Sequence, residues 1–217
     1  MSVRKTFDAE LEELMASLIK MSSLAVEAIN NSVRAFERHD LTLAASVVQG
    51  DREVDDMERE IERRCLTLLL RQQPVARDLR TISTALKMIT DIERIGDAAA
   101  DIAEITPHLT GEIPEIRVRI VAMAEAAQGM VYDAVNAFVH TDMALAEKVI
   151  GRDDIVDDAF NDIKVNMVEV LKKDTSLVDV AIDYLMITKY LERLGDHAVN
   201  ICEWAEFYNT GIHQTGR

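Results

Sequence analysis

Apolar side chains recur at spacings of three and four along most of the chain. Leu11, Leu14, Leu18, Met21, Ala25, Ala28, Ile29 and Phe36, with Ser32 among them, form one stripe that predicts an amphipathic helix over about 9–38. Asp40 or Thr42 can cap a second helix reaching about residue 71. Pro74 then suits the first turn of a third, which runs to about residue 105. The same pattern returns over about 114–140, 142–173 and 176–208. No stretch alternates with the period of a strand. The expectation is an all-α fold of two tandem antiparallel three-helix bundles. Helices of about 30 residues, roughly 45 Å long at 1.5 Å per residue, would make it elongated.

The second half repeats the first. Ile92-Glu93-Arg94-Ile95-Gly96-Asp97 returns as Leu191-Glu192-Arg193-Leu194-Gly195-Asp196, 99 positions later. Phe36 and Asp40 match Phe138 and Asp142, and Val54-Asp55-Asp56 matches Val156-Asp157-Asp158, both 102 positions later. The second copy is therefore about three residues shorter, and the turn at Arg71-Gln72-Gln73-Pro74 is the natural place. Thr106 to Pro114 holds two prolines and a glycine and marks the boundary between units at 1–108 and 112–217. A repeat of this length suits two domains of one fold rather than a solenoid. The polar tail from Thr210 to Arg217 is expected to fray.

Composition narrows the function. Apolar residues make up 48% of the 217, enough for a substantial core, and three prolines and eight glycines leave few helix breakers. A formal charge of −15 repels nucleic acid and favours cations or basic protein surfaces. Cys65 and Cys202 occupy unmatched places in the two copies, which argues against a disulfide framework. The first residues do not read as a signal peptide, and no apolar run is long enough to span a bilayer. The expected location is the cytoplasm.

The repeated peptide carries the candidate chemistry. On a helical wheel Glu93, Asp97 and Asp101 form one stripe, and Ile92, Ile95, Ala99 and Ile102 lie opposite. Gly96 borders the apolar arc. A mid-helix glycine costs about 1 kcal/mol relative to alanine, so its presence in both copies calls for close packing. The second helix carries Asp51, Asp55, Glu58 and Glu62 on one side. If the two helices are antiparallel neighbours, the stripes meet. Asp51, Asp55, Glu93 and Asp97 recur as Asp153, Asp157, Glu192 and Asp196; Asp101 becomes Asn200, still an oxygen donor. Glu58 and Glu62 become Phe160 and Lys164 and are set aside. These ten positions are the candidate metal ligands.

Carboxylates one turn apart destabilise a helix by a few tenths of a kcal/mol per pair. A bound cation reverses that sign. Oxygen-only sets suit magnesium, manganese, calcium or iron, whereas zinc usually takes histidine or cysteine as well. The plainer alternative is a solvated acidic face. Arg94 and Arg193 would pair with carboxylates on a neighbouring helix, and His197, unmatched in the first copy, reads as a surface histidine. Cys65 and Met15, Met21, Met88, Met123 and Met167 read as core, and Trp204 and Tyr208 as packing or a dimer contact.

No phosphate-binding loop, dinucleotide fingerprint or nucleophile elbow is present, and no histidine follows a glutamate by three residues. The chain reads as a binding protein, not an enzyme. Arg71-Gln72-Gln73-Pro74-Val75-Ala76-Arg77-Asp78-Leu79-Arg80, followed by Asp91 to Asp97, resembles the signature of the PhoU family. The resemblance spans the chain, including its duplication. It implies metal clusters at the repeated carboxylate motifs, of divalent or trivalent ions such as iron, manganese, magnesium or zinc, single or multinuclear. It further implies a negative regulator of phosphate uptake and of the phosphate-starvation response. Such a regulator works through the ATPase of the phosphate ABC transporter and a membrane sensor histidine kinase, commonly as a homodimer at the inner membrane face. The alternatives are a metal-storage protein or metal-dependent carboxylate enzyme, and a metal-free scaffold.

Overall fold

The computed structural model describes residues 3–71 and 74–212. Helices occupy nearly all of them: α1 (Val3–Arg38), α2 (Leu41–Arg71), α3 (Ala76–Ile105), α4 (Pro114–His140), α5 (Met143–Ile150), α6 (Asp153–Lys173) and α7 (Val178–Thr210). Short 3-10 turns, Thr106–His108 and Thr175–Leu177, precede α4 and α7. There is no strand among the described residues. The turn held responsible for the shortened second copy includes Gln72 and Gln73, and the tail includes residues 213–217; these lie outside the described residues.

The connection between the first two helices is built identically in each half. His39 and Thr141 take left-handed backbone angles, with φ of 49° and 53°. The next amide reaches back five residues, Asp40 N–H to Ala35 C=O at 2.9 Å and Asp142 N–H to Ala137 C=O at 2.8 Å. This is a Schellman closure, which satisfies carbonyls the helix end would orphan. The same aspartate then caps the next helix. Asp40 Oδ1 accepts from the Thr42 and Leu43 amides, and Asp142 Oδ1 from Leu145. Asp40, rather than Thr42, is thus the cap. Pro74 lies outside α3, whose start is held by Asp78 Oδ2 accepting the Val75 amide at 3.1 Å.

One expected helix is broken. The run over 142–173 stops at Ile150 and restarts at Asp153. Arg152 leaves the helical path at φ −97°, ψ −5°, and its Nη2 donates to Asp133 Oδ2 on α4 at 2.6 Å. In the first copy the glycine stands one place later, at Gly50, and α2 runs through it. The break is therefore a joint effect of Gly151, which resists the turn least, and the ion pair that holds the turn against α4.

α1, α2 and α3 pack together, as do α4, α7 and the α5–α6 pair. The apolar stripe of α1 is buried at Leu14, Leu18, Met21, Ala25, Ile29 and Phe36. The two bundles then share one continuous core, because α3 lies along α7 and α1 touches α4. The layers run α2, then α1 with α3, then α4 with α7, then α5–α6. Arg117 ties the halves at one end: it donates to the C-terminal carbonyls of Phe36 and Glu37 and stacks on the Phe36 ring. No described helix is long and apolar enough to cross a membrane.

The α3–α7 contact has its own symmetry. Asp91 Oδ1 accepts from Asn200 Nδ2 at 2.9 Å, and His197 Nδ1 lies 2.9 Å from the same oxygen. Further along α3, and back along α7, the Tyr190 hydroxyl donates to the Asp101 carboxylate. In the repeat register Asp91 matches Tyr190 and Asp101 matches Asn200. These are one contact seen twice, about a pseudo-twofold axis between the copies, as in an isologous dimer interface. Lys87 over the Trp204 ring and Arg80 on the Asn209 carbonyl extend the same antiparallel register. His197 is therefore an interface residue rather than a surface one.

Candidate metal centre

Each bundle brings its two acidic stripes together at the repeated glycine. A Cβ placed on Gly96 would lie 3.2 Å from Asp51 Oδ1 and 3.2 Å from Val54 Cγ1. On Gly195 it would lie 3.2 Å from Asp153 Oδ1 and 3.5 Å from Val156 Cγ1. The packing reason for both glycines is thus the aspartate and the valine of the neighbouring helix together. Each lets an aspartate from the neighbouring helix rest against the backbone of α3 or α7.

In the first bundle Asp51, Asp55 and Asp97 each present an oxygen within 4.8 Å of the others. All three are half-buried. Asp51 Oδ1 is enclosed by protein and has no hydrogen-bond donor. A buried acceptor without a partner costs about 1–3 kcal/mol. Burial first, and then Asp97, Asp55, Asp101 and Glu104, push the Asp51 carboxyl up to about 6. Glu93, raised by burial and then by Asp97, and Asp101, raised by burial against the Tyr190 hydrogen bond, border the triad. Hard oxygen donors, a surplus of negative charge and one orphaned buried oxygen fit a hard divalent or trivalent cation.

The second bundle repeats the plan with looser geometry. Asp153 is half-buried, and its carboxyl is also pushed up to about 6, by burial first and then by Asp157 and Asp196. Asp157 and Asp196, however, are exposed where Asp55 and Asp97 are not. No triad of the first kind forms there among the described residues. Asp153 also stands in the first turn of α6, where the helix dipole favours a carboxylate; Asp51 lies inside an unbroken α2.

The remaining sequence candidates have partners of their own. Glu192 is held by the Lys189 ammonium on its own helix. Asn200 gives its amide to Asp91, and Asp101 accepts from Tyr190, so both serve the α3–α7 contact. Arg94 makes its close ion pairs on its own helix, although its charge also acts on Glu58 of α2. It pairs with Glu93 at 3.3 Å and Asp97 at 3.0 Å on α3 itself. Arg193 instead faces Asp101 across the interface. Glu58, set aside by the repeat comparison, is close enough to raise Glu93. Arg59 binds Asp55 at 3.1 Å, a contact the helical spacing of three and four could have supplied. Trp204 and Tyr208 are packing residues: Tyr208 meets Phe138 edge-on, and Trp204 meets Phe207.

The fold and the sequence have known counterparts. The profile of the PhoU domain matches twice, over residues 18–106 and 120–205. The chain is 38% identical over 210 residues to a protein of Clostridium acetobutylicum named phosphate-specific transport system accessory protein PhoU homolog, with 96% of each chain covered. A Thermotoga maritima protein of that name, numbered homolog 1, is 34% identical over 94% of this chain and 89% of its own. The crystal structure of PhoU from Pseudomonas aeruginosa superposes with a TM-score of 0.92 at 34% identity, covering 95% of this chain and 100% of that one. The phosphate transport system regulatory protein PhoU from Streptococcus pneumoniae gives 0.87 at 26% identity, over 97% and 100%. Two matched domains, carried on the same helices throughout, place this chain in the PhoU family.

Proposed function

We propose that the protein is a cytoplasmic accessory regulator of phosphate uptake that restrains transport and the starvation response when phosphate is plentiful. The observation that carries this reading is the match along 96% of both chains to a phosphate-specific transport accessory protein. Its contacts are then the ATPase of the phosphate ABC transporter and the cytoplasmic part of a sensor histidine kinase, and it acts as a homodimer. The units that carry this role are the two repeats, 1–108 and 112–217.

Asp51, Asp55 and Asp97, with Glu93 and Asp101 alongside, would hold metal in the first half. Asp153, Asp157, Glu192 and Asp196, with Asn200 alongside, would do so in the second. A hard cation such as manganese, magnesium or iron supplies charge neutralisation and a cross-link between the outer helix and the central one. The chain's own residues do the rest. Gly96 and Gly195 admit the aspartates, Arg94 orients Glu93 and Asp97, and the acidic surface of a chain whose net charge is −15 meets basic partner surfaces. This reading involves no chemical turnover.

Deleting the gene in its host and following a phosphate-starvation reporter tests the proposal. Expression in high phosphate should rise on deletion and be silenced again by the wild-type chain, but not by Asp51→Ala with Asp97→Ala. A reporter indifferent to the deletion would contradict the regulatory role, and full rescue by the double variant would contradict the metal's part in it.

A further inference from the structure

Three apolar pairs stay outside the core in both copies of the repeat. Leu66 and its match Val168 are each 49% exposed, and Leu79 and Val178 are 42% and 44% exposed. Leu86, half-buried, and Leu185, exposed, form the third pair. Leu66 stands eleven residues from Asp55 and Leu79 eighteen from Asp97, and Val168 and Val178 keep the same spacings to Asp157 and Asp196. Those intervals are about three and five helical turns, so each apolar patch shares its helix faces with the carboxylates of its own half. Single exposed apolar residues are ordinary; the same patch kept twice marks a contact surface.

Both patches look the same way. α3 is flanked by α1, α2 and α7, and α7 by α4, α6 and α3, while α1 touches α4. The one open side of α3 and that of α7 therefore form a single face. The pseudo-twofold axis crosses α3 midway between Asp91 and Asp101, at Gly96, and relates one patch to the other. Each patch lies roughly 20 Å from that axis along the helices, at 1.5 Å per residue. Between them lie the two acidic clusters, where carboxylates outnumber Arg59, Arg94, Lys189 and Arg193. A second copy laid on this face would set acid against acid, and nucleic acid or an anionic membrane would be repelled as well. A basic protein surface is attracted.

We propose that this open face docks a homodimeric protein whose twofold axis coincides with the chain's pseudo-twofold. One apolar patch then meets each partner subunit, and a basic strip between the subunits meets the carboxylates. The inference rests on the reading of the chain as a transport regulator, and the occupant is the pair of ATPase subunits of the phosphate ABC transporter. A symmetric pair presents the same surface twice, and a doubled chain matches it with a single molecule. One chain therefore spans both ATPase subunits, and any homodimer contact uses another face.

Photo-crosslinking of the full-length protein to the detergent-solubilised transporter tests this. Benzoylphenylalanine at position 79 and, in a separate variant, at position 178 should label the same ATPase peptide. At position 118, exposed on α4, it should label none. Leu66→Asp with Leu79→Asp, and Val168→Asp with Val178→Asp, should each weaken binding roughly tenfold or more, the scale of losing anchoring apolar contacts. The crosslinks are read without these aspartate variants and do not depend on their folding. Different peptides from positions 79 and 178, label from only one of them, or label on a second copy of this chain instead would overturn the inference while leaving the regulatory reading standing. So would full binding by both aspartate variants. No association of the wild-type chain with the transporter would overturn both.

Discussion

The two halves began as one sequence and now hold the same carboxylates in different settings. In the first, Asp51 lies inside a continuous α2, wedged against Gly96, with Asp55 and Asp97 half-buried beside it. In the second, Asp153 opens a separate α6, Asp157 and Asp196 face solvent, and Lys189 stands at the rim. Equal motifs therefore need not make equal sites. The strength of a carboxylate cluster depends on what enforces the approach of like charges. A rigid, unbroken helix against a glycine enforces it; a helix restarted at the cluster relaxes it.

The comparison can be broken first at the glycines. Gly96→Val should cost about 3 kcal/mol, the upper range for overpacking, because Asp51 and Val54 both stand 3.2 Å from the new Cβ. Gly195→Val should cost less, since Val156 is 3.5 Å away and the shorter α6 can shift. Denaturant unfolding of the two variants measures the difference. Equal losses would mean that the two helix pairs are equally rigid.

Charge comes next. Asp51→Asn should stabilise the metal-free protein at pH 7 by about 1 kcal/mol, after allowance for solvent screening of a half-buried group. It should also remove most of the stabilisation that Mn²⁺ gives the wild type. Asp153→Asn should act in the same direction, with a smaller loss of the metal effect. Thermal melts with chelator and with Mn²⁺ separate the two.

The pH profile is a gentler probe. Asp51 and Asp153 rise from 3.8 to about 6 on folding, so the native state takes up protons there. Their contribution favours folding fully below 3.8 and is lost as the pH climbs through 6. The chelated wild type, compared with the Asp51→Asn/Asp153→Asn double variant, should lose about 4 °C of relative Tm between pH 4 and pH 7. Metal affinity should rise over the same window, as the ligands shed the protons that compete with the metal. The smallest effect is expected at the pseudo-twofold contact. Asp91→Asn should cost about 1 kcal/mol and leave Mn²⁺ binding in the first half unchanged.

Much of this was readable from residues. The stripe Leu14, Leu18, Met21, Ala25 and Ile29 and the doubled Glu-Arg-Φ-Gly-Asp peptide (Φ apolar) gave the helices, apart from the break between Ile150 and Asp153, and the pairing of acids across each bundle. Local spacing could not reveal what depends on a third helix. Arg152 breaks the second copy's helix because Asp133 waits on α4, a partner nineteen residues away. Retention at Asp101 and Asn200 suggested ligands, yet both positions face the contact between copies, where pseudo-symmetry gives them equivalent work. A position kept after duplication can be kept by the interface that duplication created. Neither the wheel of α3 nor that of α7 distinguishes the two causes.

The most direct test is anomalous diffraction from crystals grown with limiting Mn²⁺. A strong peak is expected among Asp51, Asp55 and Asp97, with weaker density beside Asp153 and Asp196. A map with no peak at the first triad, or with metal at the second cluster alone, would contradict that expectation.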